Sequence, residues 1–390
     1  QQQAWFIQSQ IQLAQEDYGN AEQSLTTLLS MPLIASIDKD GLKNQLASSI
    51  YQQAQQPAQD KKAQQQHLQR LLAQPNSAYH EAAAYQQLEL MEGAEAELMM
   101  GQFLAKYPKS ERRQAVQAKL IDGYEKSGNF HAAAAMLETL AQETTDPNAR
   151  REARWSAAQL YQRSGQNGAA IKAYQAYLKA FSQPHDVAQE ARYQLLLLQP
   201  TPASIKARTQ LQEEIVKAER AAFSTVQTDR SKFITAQALL ALGNAQSDAF
   251  KVVRLSHPLK KSLNLKRQRM KQAIAYYEQS MTYGIAPILS QAQYQIAELY
   301  RILAKDLLTS ERPQGLDELS LEQYNLLLEE QAYPFEEQAI GIYQKNTSLV
   351  KQDIYDEYVR QSYARLAELM PARYQKLESY QEAANDATKP

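Results

Sequence analysis

Two stretches repeat one order of residues and decide the fold: residues 124–147 (YEKSGNFHAAAAMLETLAQETTDP) and residues 161–184 (YQRSGQNGAAIKAYQAYLKAFSQP). In the first stretch a tyrosine precedes a glycine, an alanine, larger apolar residues and a proline: Tyr124, Gly128, Phe130, Ala133, Leu137, Leu140 and Pro147. The second keeps this order: Tyr161, Gly165, Ala170, Tyr174, Tyr177 and Pro184. The two turn glycines are 37 residues apart. Repetition at such a period predicts stacked helical hairpins.

Each repeated position has a physical role in a hairpin of two helices. Gly128 and Gly165 are expected where the first helix turns into the second, because glycine tolerates a positive φ. Ala133 and Ala170 are small, which lets the two helices cross closely. The larger residues are expected in the core: Tyr124, Leu137, Tyr161 and Tyr174. The closing proline is expected to end the second helix.

Two units upstream carry parts of the same pattern. One contains Trp5, Tyr18, Ala21, Leu25, Leu28 and Pro32, and the other ends with Met100, Phe103, Leu104 and Tyr107-Pro108. Together these residues resemble the tetratricopeptide-repeat (TPR) family, whose repeat is about 34 residues long. The resemblance implies an all-α fold, an α-solenoid of TPR-like hairpins with a concave groove that binds other proteins. The Trp-Leu-Gly start of the family's first helix is missing, apart from Trp5 and Trp155.

The remainder of the chain predicts helices of other lengths. We expect TPR-like repeats over residues 1–200, a long-helix hairpin over 201–257, degenerate helical repeats over 258–382 and a disordered tail over 383–390. Between Pro202 and Pro258 the sequence has one glycine and no proline, which predicts two long helices with a break at Thr228-Asp229.

The last third predicts further helices. A helix of repeat length is expected from Pro258 to Tyr283, with its apolar face formed by Leu259, Leu263, Met270, Ile274, Tyr277 and Met281. Others are expected at 290–308, 320–332, 334–348 and 353–370. The Gln-rich residues 33–80 are expected to be degenerate repeat, with turns at Pro57 and Pro75-Asn76-Ser77.

The composition agrees with long helices and argues against catalysis. Only 12 Gly and 14 Pro occur in 390 residues, so we expect helix in more than about two thirds of the chain and no sheet. Without cysteine, disulfides and thiol chemistry are excluded. The five histidines have no metal-ligand spacing, and phosphate-binding loops and nucleophile elbows are absent. We therefore expect no enzyme activity, no metal and no cofactor.

Charge is divided unevenly along the chain, although the net charge is −1. A basic patch is predicted from eight residues with no acid among them: Lys251, Arg254, Lys260, Lys261, Lys266, Arg267, Arg269 and Lys271. Residues 306–338 hold nine acids against Arg312 alone. The two blocks either face each other or water, or the basic block meets an acidic partner or phospholipid headgroups. Nucleic acid is disfavoured because no aromatic residues are interleaved with the basic block.

The partner-binding groove of a TPR protein is lined by first-helix residues that face away from the second helix. Counting back from Gly128 gives Asp122, Glu125 and Lys126. Counting back from Gly165 gives Trp155, Gln159, Gln162 and Arg163, of which 155, 159 and 162 share one face. Trp and Arg often carry binding energy. The alternative is that Trp155 is a buried aromatic residue of the repeat.

Two local resemblances suggest a cellular setting. Residues 106–110 (KYPKS) resemble repeats of periplasmic outer-membrane assembly lipoproteins. Residues 342–346 (IYQKN), Tyr355-Asp356 and 371–374 (PARY) resemble large TPR proteins of Gram-negative bacteria whose genes neighbour TonB and ExbB/ExbD systems. With the missing cysteines, they imply a periplasmic scaffold of the cell envelope with protein partners.

Three alternatives remain open at this point. The chain could be a structural spacer or assembly component in an envelope complex, or a polysaccharide-binding periplasmic repeat protein. Self-association into an oligomer is also open.

No apolar run approaches the about 18 residues of a transmembrane helix. Because the chain begins at Gln1 without Met, we expect a fragment or a mature form, with membrane association through a removed N-terminal region left open.

Overall fold

The computed structural model describes residues 1–33, 37–56, 60–74, 77–199 and 205–375. Within these ranges 81% of residues are helical and none is in a strand, which confirms the predicted all-α, solenoid-type fold class. The predicted turns at Pro57 and Pro75-Asn76 and the predicted tail at 383–390 lie outside the described residues.

The chain divides into two compact units, Gln1–Ala173 and Tyr174–Pro390. The helices of the first unit are α1 (Gln2–Ala14), α2 (Tyr18–Leu29), α3 (Lys39–Gln55), α4 (Lys61–Leu72), α5 (His80–Glu89), α6 (Gly93–Lys106), α7 (Arg113–Lys126), α8 (Phe130–Glu143), α9 (Pro147–Arg163) and the start of α10 (Asn167–Ala180). In this unit each helix from α1 to α8 packs on the next along the chain, which is the arrangement of a helical repeat.

The two repeated stretches form the predicted hairpins. Gly128 connects α7 to α8 with φ +77°, and Gly165 connects α9 to α10 with φ +73°, so both occupy the left-handed region as expected. Ala133 and Ala170 are fully buried. Of the four larger residues predicted in the core, Leu137, Tyr161 and Tyr174 are buried, whereas Tyr124 is half-buried against the core of α5, α6 and α7.

The prolines of the repeat begin helices, which corrects the prediction that they end them. Helix α8 already ends at Glu143, and Pro147 is the first residue of α9. The Asp146 side chain caps α9 by accepting from the backbone N–H of Asn148 at 3.0 Å. Proline suits a first helical position because the N–H that it lacks has no partner inside the helix. Pro184 likewise directly precedes α11, at its N-cap.

The second unit contains longer helices. These are α11 (His185–Leu198), α12 (Ile205–Ala221), α13 (Asp229–Lys251), α14 (Leu259–Met281), α15 (Ala286–Leu308), α16 (Glu318–Thr347), α17 (Glu357–Leu369) and α18 (Pro371–Tyr374), with short 3-10 helices at Ser224–Val226 and Ser348–Gln352. The predicted break at Thr228-Asp229 is confirmed. Thr228 and Ser231 form a capping box at the start of α13, in which each side chain accepts from the other's backbone N–H.

The helix predicted from Pro258 to Tyr283 forms as α14, Leu259–Met281, but its 23 residues exceed the 14 of α7 or α8, so it is not of repeat length. The boundary predicted at Pro334 is wrong. Helix α16 runs without interruption through Pro334, where the sequence predicted a boundary. A proline costs a helix one hydrogen bond and some steric strain, and the buried residues on both sides of Pro334, Leu328 and Ala339, keep the two halves in one helix.

The core of the second unit forms around the predicted apolar face of α14. Met270 and Tyr277 are buried, and the other four predicted residues are half-buried against the same cluster as Leu299 and Leu303 of α15. Helices α13 and α14 also approach closely, because the buried Gly243 faces the Tyr277 ring.

Candidate functional site

The predicted groove residues lie on α7 and α9, the first helices of two adjacent hairpins. Five of them are exposed: Asp122, Glu125, Lys126, Gln159 and Arg163. Trp155 and Gln162 are half-buried, and each takes part in further interactions. Trp155 is thus neither a fully buried core aromatic nor a freely exposed side chain. We call these seven residues the α7–α9 face.

Opposite charges are paired on this face, within and between the two helices. The Lys126 ammonium lies 2.6 Å from Asp122 Oδ2 on α7. Arg163 Nη1 of α9 lies 3.9 Å from Glu125 Oε2 of α7, so one ion pair joins neighbouring hairpins. The Arg163 guanidinium also lies over the Phe130 ring, 4.2 Å from its centroid. Since every charge has a nearby opposite, the face offers a pattern of charges rather than a field of one sign.

The buried side of α9 consists of small residues and one buried tyrosine side chain. Ala153, Ala157 and Ala158 are buried, so α9 can pack closely on its neighbour. The Tyr161 hydroxyl donates to Glu138 Oε2 of α8 at 3.1 Å. Burial, with the Glu138 charge, raises the pKa of Tyr161 to about 12, so the phenol stays protonated and remains a donor. The hydrogen bond from Tyr161 therefore joins α9, which carries part of the α7–α9 face, to α8.

Most of the predicted basic patch is exposed, in the second unit. Lys251, Arg254, Lys260, Lys261, Arg267 and Lys271 are exposed, and Arg269 is half-buried. At least three of these side chains have partners within the unit, and one is Lys251, whose Nζ donates to Asp248 Oδ1 at 3.3 Å. Arg269 Nη1 donates to Gln246 Oε1 at 3.2 Å, and the Arg267 guanidinium lies 5.4 Å from the centroid of the Phe335 ring on α16.

Lys266 is an exception, because its side chain is fully buried and cannot belong to a surface patch. Its ammonium donates to the carbonyls of Phe250 at 3.0 Å and Val253 at 2.7 Å, and pairs with Asp306 Oδ2 at 2.7 Å. The Lys266 ammonium thus donates hydrogen bonds to carbonyl oxygens at the C-terminal end of α13. A cation stabilises a helix at this end. The spacing 259, 263, 266, 270 already places Lys266 on the apolar face of α14, so the sequence contained this signal.

Two buried polar clusters of the second unit were not predicted. In one, Glu298 of α15 accepts from Arg301 at 2.7 Å, from Arg365 at 2.9 Å and from the Tyr343 hydroxyl. Burial raises the pKa of Glu298, but the hydrogen bonds from Arg301 and Tyr343 outweigh burial, so the pKa lies below its usual range. The cluster joins α15, α16 and α17.

The other cluster joins α11, α12 and α13. The buried Glu219 carboxylate lies 2.6 Å from His185 Nε2 and accepts from Gln189 at 3.1 Å and from the Ser231 hydroxyl at 3.0 Å. His185, Gln189, Glu219 and Ser231 are all buried. A serine, a histidine and a carboxylate meet here, but Ser231 donates to the acid rather than to the histidine, which is not the arrangement of a nucleophile and its base.

Across the described residues, no three or more His, Asp or Glu side chains are grouped to hold a metal ion. No helix in the same ranges combines the length and apolarity needed to cross a membrane.

Comparison with known proteins gives little beyond the fold seen here. No protein-family model and no curated protein matches the sequence. Among solved structures, the chain is similar to the TPR domain of P58(IPK), with 15% identity, a TM-score of 0.24, and coverage of 96% of this chain and 99% of that one. It is also similar to a circular tandem repeat protein with a novel repeat topology, with 11% identity, a TM-score of 0.22, and coverage of 95% and 84%. The fold class follows from the helices of this chain and not from these similarities.

Proposed function

We propose that this protein is a non-enzymatic scaffold that binds a segment of a partner protein along the α7–α9 face. The observation that carries the proposal is the Arg163–Glu125 ion pair between the first helices of neighbouring hairpins. This ion pair brings Arg163 of α9 close to Glu125 of α7, which supports a site that includes both helices. A partner segment that crosses both helices would meet charges of both signs and the exposed amide of Gln159.

The chemistry of the face favours a protein segment as its ligand. Ion pairs at 3.9 Å on an exposed surface contribute little stability, so a partner's charged groups can replace them at small cost. Trp155 offers apolar area beside these charges, and aromatic and arginine side chains dominate binding energy at interfaces. Gln and charged side chains on a repeat surface suit the extended segments that helical repeats bind.

We further propose that the protein works in the periplasm of a Gram-negative bacterium, with envelope proteins of the TonB/ExbB/ExbD type among its partners. Support comes from the sequence resemblances at 106–110, 342–346 and 371–374 and from the absence of cysteine. The structural spacer and the polysaccharide-binding protein stay as alternatives. A spacer would not depend on the α7–α9 face, so substitutions there separate it from a scaffold.

The test measures partner binding by variants of the face beside a matched control. Partners are captured with the full chain from a Gram-negative envelope fraction, and the best-enriched protein is purified for titration. We expect the double variant Gln159→Ala/Arg163→Ala to bind at least about tenfold more weakly and to lose at most about 1 kcal/mol of stability, from the Arg163–Phe130 and Arg163–Glu125 contacts. Glu111→Ala, at an exposed acid of the same unit, should bind as the parent does. Equal binding by all three proteins would reject the face as the site.

A further inference from the structure

The first third of α16 contributes almost no side chains to the core. Between residues 318 and 327 no side chain is buried, and three leucines are mostly exposed: Leu319 at 66%, Leu326 at 55% and Leu327 at 55%. Single exposed leucines are ordinary on protein surfaces, but several on ten residues of one helix form an apolar patch that marks an interaction site.

The exposed apolar residues follow a regular spacing. Leu319, Leu326 and Tyr333 are each seven residues apart, so they line one side of α16. The side that faces the core is a different one, where Leu328, Ala332 and Ala339 are buried. Tyr333 is 63% exposed, so the stripe continues where the helix has joined the core. This is the pattern of a helix that packs against a second helix.

Between residues 318 and 344 the charged side chains of α16 itself are all acidic, although two arginines from other segments approach the helix. Arg312 Nε donates to Asn325 Oδ1 at 2.7 Å, and the Arg267 guanidinium lies 5.4 Å from the centroid of the Phe335 ring. Residues 313–344 contain seven acids and no lysine or arginine: Asp317, Glu318, Glu322, Glu329, Glu330, Glu336 and Glu337. In the described part of the chain none of these carboxylates forms an ion pair. The α7–α9 face differs, since its charges are paired. Here the seven carboxylates have no ion-pair partner among the described residues, and they lie on or at the start of the helix that carries the exposed leucines.

We propose that this surface of α16, the acidic leucine face, binds a basic amphipathic helix from another protein. The partner helix would place apolar side chains on Leu319, Leu326 and Tyr333 and lysines or arginines beside the glutamates. Two copies of the face would bring like charges together, which disfavours pairing of α16 with itself. The proposal does not rest on the α7–α9 face, which belongs to the other unit.

The chain's own C-terminal residues are a poor match for the face. Residues 376–390 contain two lysines, Lys376 and Lys389, against the three acids Glu378, Glu382 and Asp386, so the segment is itself slightly acidic. Charge complementarity therefore favours a separate basic helix over this segment.

A designed peptide tests the proposal on the full chain. The probe is a fluorescent helix of three heptads, with leucine at positions a and d and lysine at e and g. Fluorescence anisotropy should give saturable binding with a micromolar Kd that weakens between ~0.05 and ~0.5 M salt. Leu326→Ser should weaken binding about tenfold or more, because one leucine loses its buried contact. The matched control Leu98→Ser, at an exposed leucine of α6, should have no effect.

A second pair of variants tests the charge. Glu322→Gln/Glu329→Gln should weaken peptide binding and reduce its salt dependence, whereas Glu111→Gln/Glu152→Gln, at exposed acids elsewhere, should change neither. Absence of binding, or equal binding by Leu326→Ser and the parent, would overturn the proposal. A homodimer of the parent chain that Leu326→Ser dissociates would overturn it as well, because the occupant would then be a second copy.

Discussion

The Gly243→Ala substitution tests the close approach of α13 and α14. A Cβ at position 243 would lie 2.6 Å from Cε1 and 2.7 Å from Cδ1 of the Tyr277 ring, whereas ordinary contacts begin at 3.4 Å. The ring or a helix must therefore move by about 0.8 Å. Tyr277 is fully buried, and its hydroxyl donates to Asn244 Oδ1 at 2.8 Å, so it cannot turn away without losing that bond.

Two opposing effects decide the magnitude. Alanine in place of glycine inside a helix gains about 1 kcal/mol, while overpacking a core costs about 1–3 kcal/mol and a lost hydrogen bond about 1 kcal/mol more. We expect a net loss of about 1–3 kcal/mol in the free energy of unfolding. For a unit of this size that corresponds to a fall in melting temperature of roughly 3–10 °C, measured by circular dichroism.

A matched glycine supplies the control. Gly341 also lies inside a helix, α16, but nothing lies within 4 Å of a Cβ placed there. Gly341→Ala should therefore add up to about 1 kcal/mol to the free energy of unfolding and so raise the melting temperature. Adding Tyr277→Leu to Gly243→Ala should cost less than the two single changes together, because the clash is relieved. If Gly243→Ala stabilised the protein as much as Gly341→Ala does, the packing described for α13 and α14 would be refuted.

Three further substitutions test other parts of the fold. Folding lowers the pKa of Glu298, so its carboxylate stabilises the fold above its unfolded pKa near about 4, and this stability is lost as pH falls through the folded pKa. Glu298→Gln should therefore lower the melting temperature at pH 7 and lower it much less near pH 3. The same difference in melting temperature at both pH values would contradict this. Lys266→Met should cost about 1–3 kcal/mol in urea unfolding, since two carbonyls and Asp306 lose their donor; unchanged stability would show that the site is not needed. Ala133→Phe should cost about 1–3 kcal/mol by overpacking, and an unchanged melt would count against the repeat register.

Much of the fold could be predicted from local patterns. The glycines at 128 and 165 and the repeated alanines give the hairpins, because each type has a steric property that the turn or crossing requires. Thr228 is a helix-capping residue, and its box with Ser231 is where the break was expected. The proline prediction went wrong at Pro147, since a proline fits the start of a helix as well as the region after its end.

The features that were not predicted depend on contacts between residues far apart in the sequence. A single sequence does not show which distant residues meet. Pro334 leaves α16 intact because residues elsewhere pack against both halves of the helix. Glu298 meets Arg365, 67 residues further along, and no local pattern joins them. The position of Lys266 on an apolar face could have been read from spacing, but its carbonyl and Asp306 partners could not. For the α7–α9 face, candidate residues could be found by counting back from the turn glycines, but the ion pair between α7 and α9 is visible only in the structure.

Photo-crosslinking from position 159 tests the central claim most directly. Gln159 is exposed on α9 within the α7–α9 face, so a photoreactive residue there should not disturb folding. The matched control carries the same residue at position 139, an exposed site on α8 outside the face. On irradiation of cells that make the full chain, the account predicts a discrete adduct with one partner protein from position 159 and none from position 139. Adducts of equal yield from both positions, or none from 159, would contradict binding along this face.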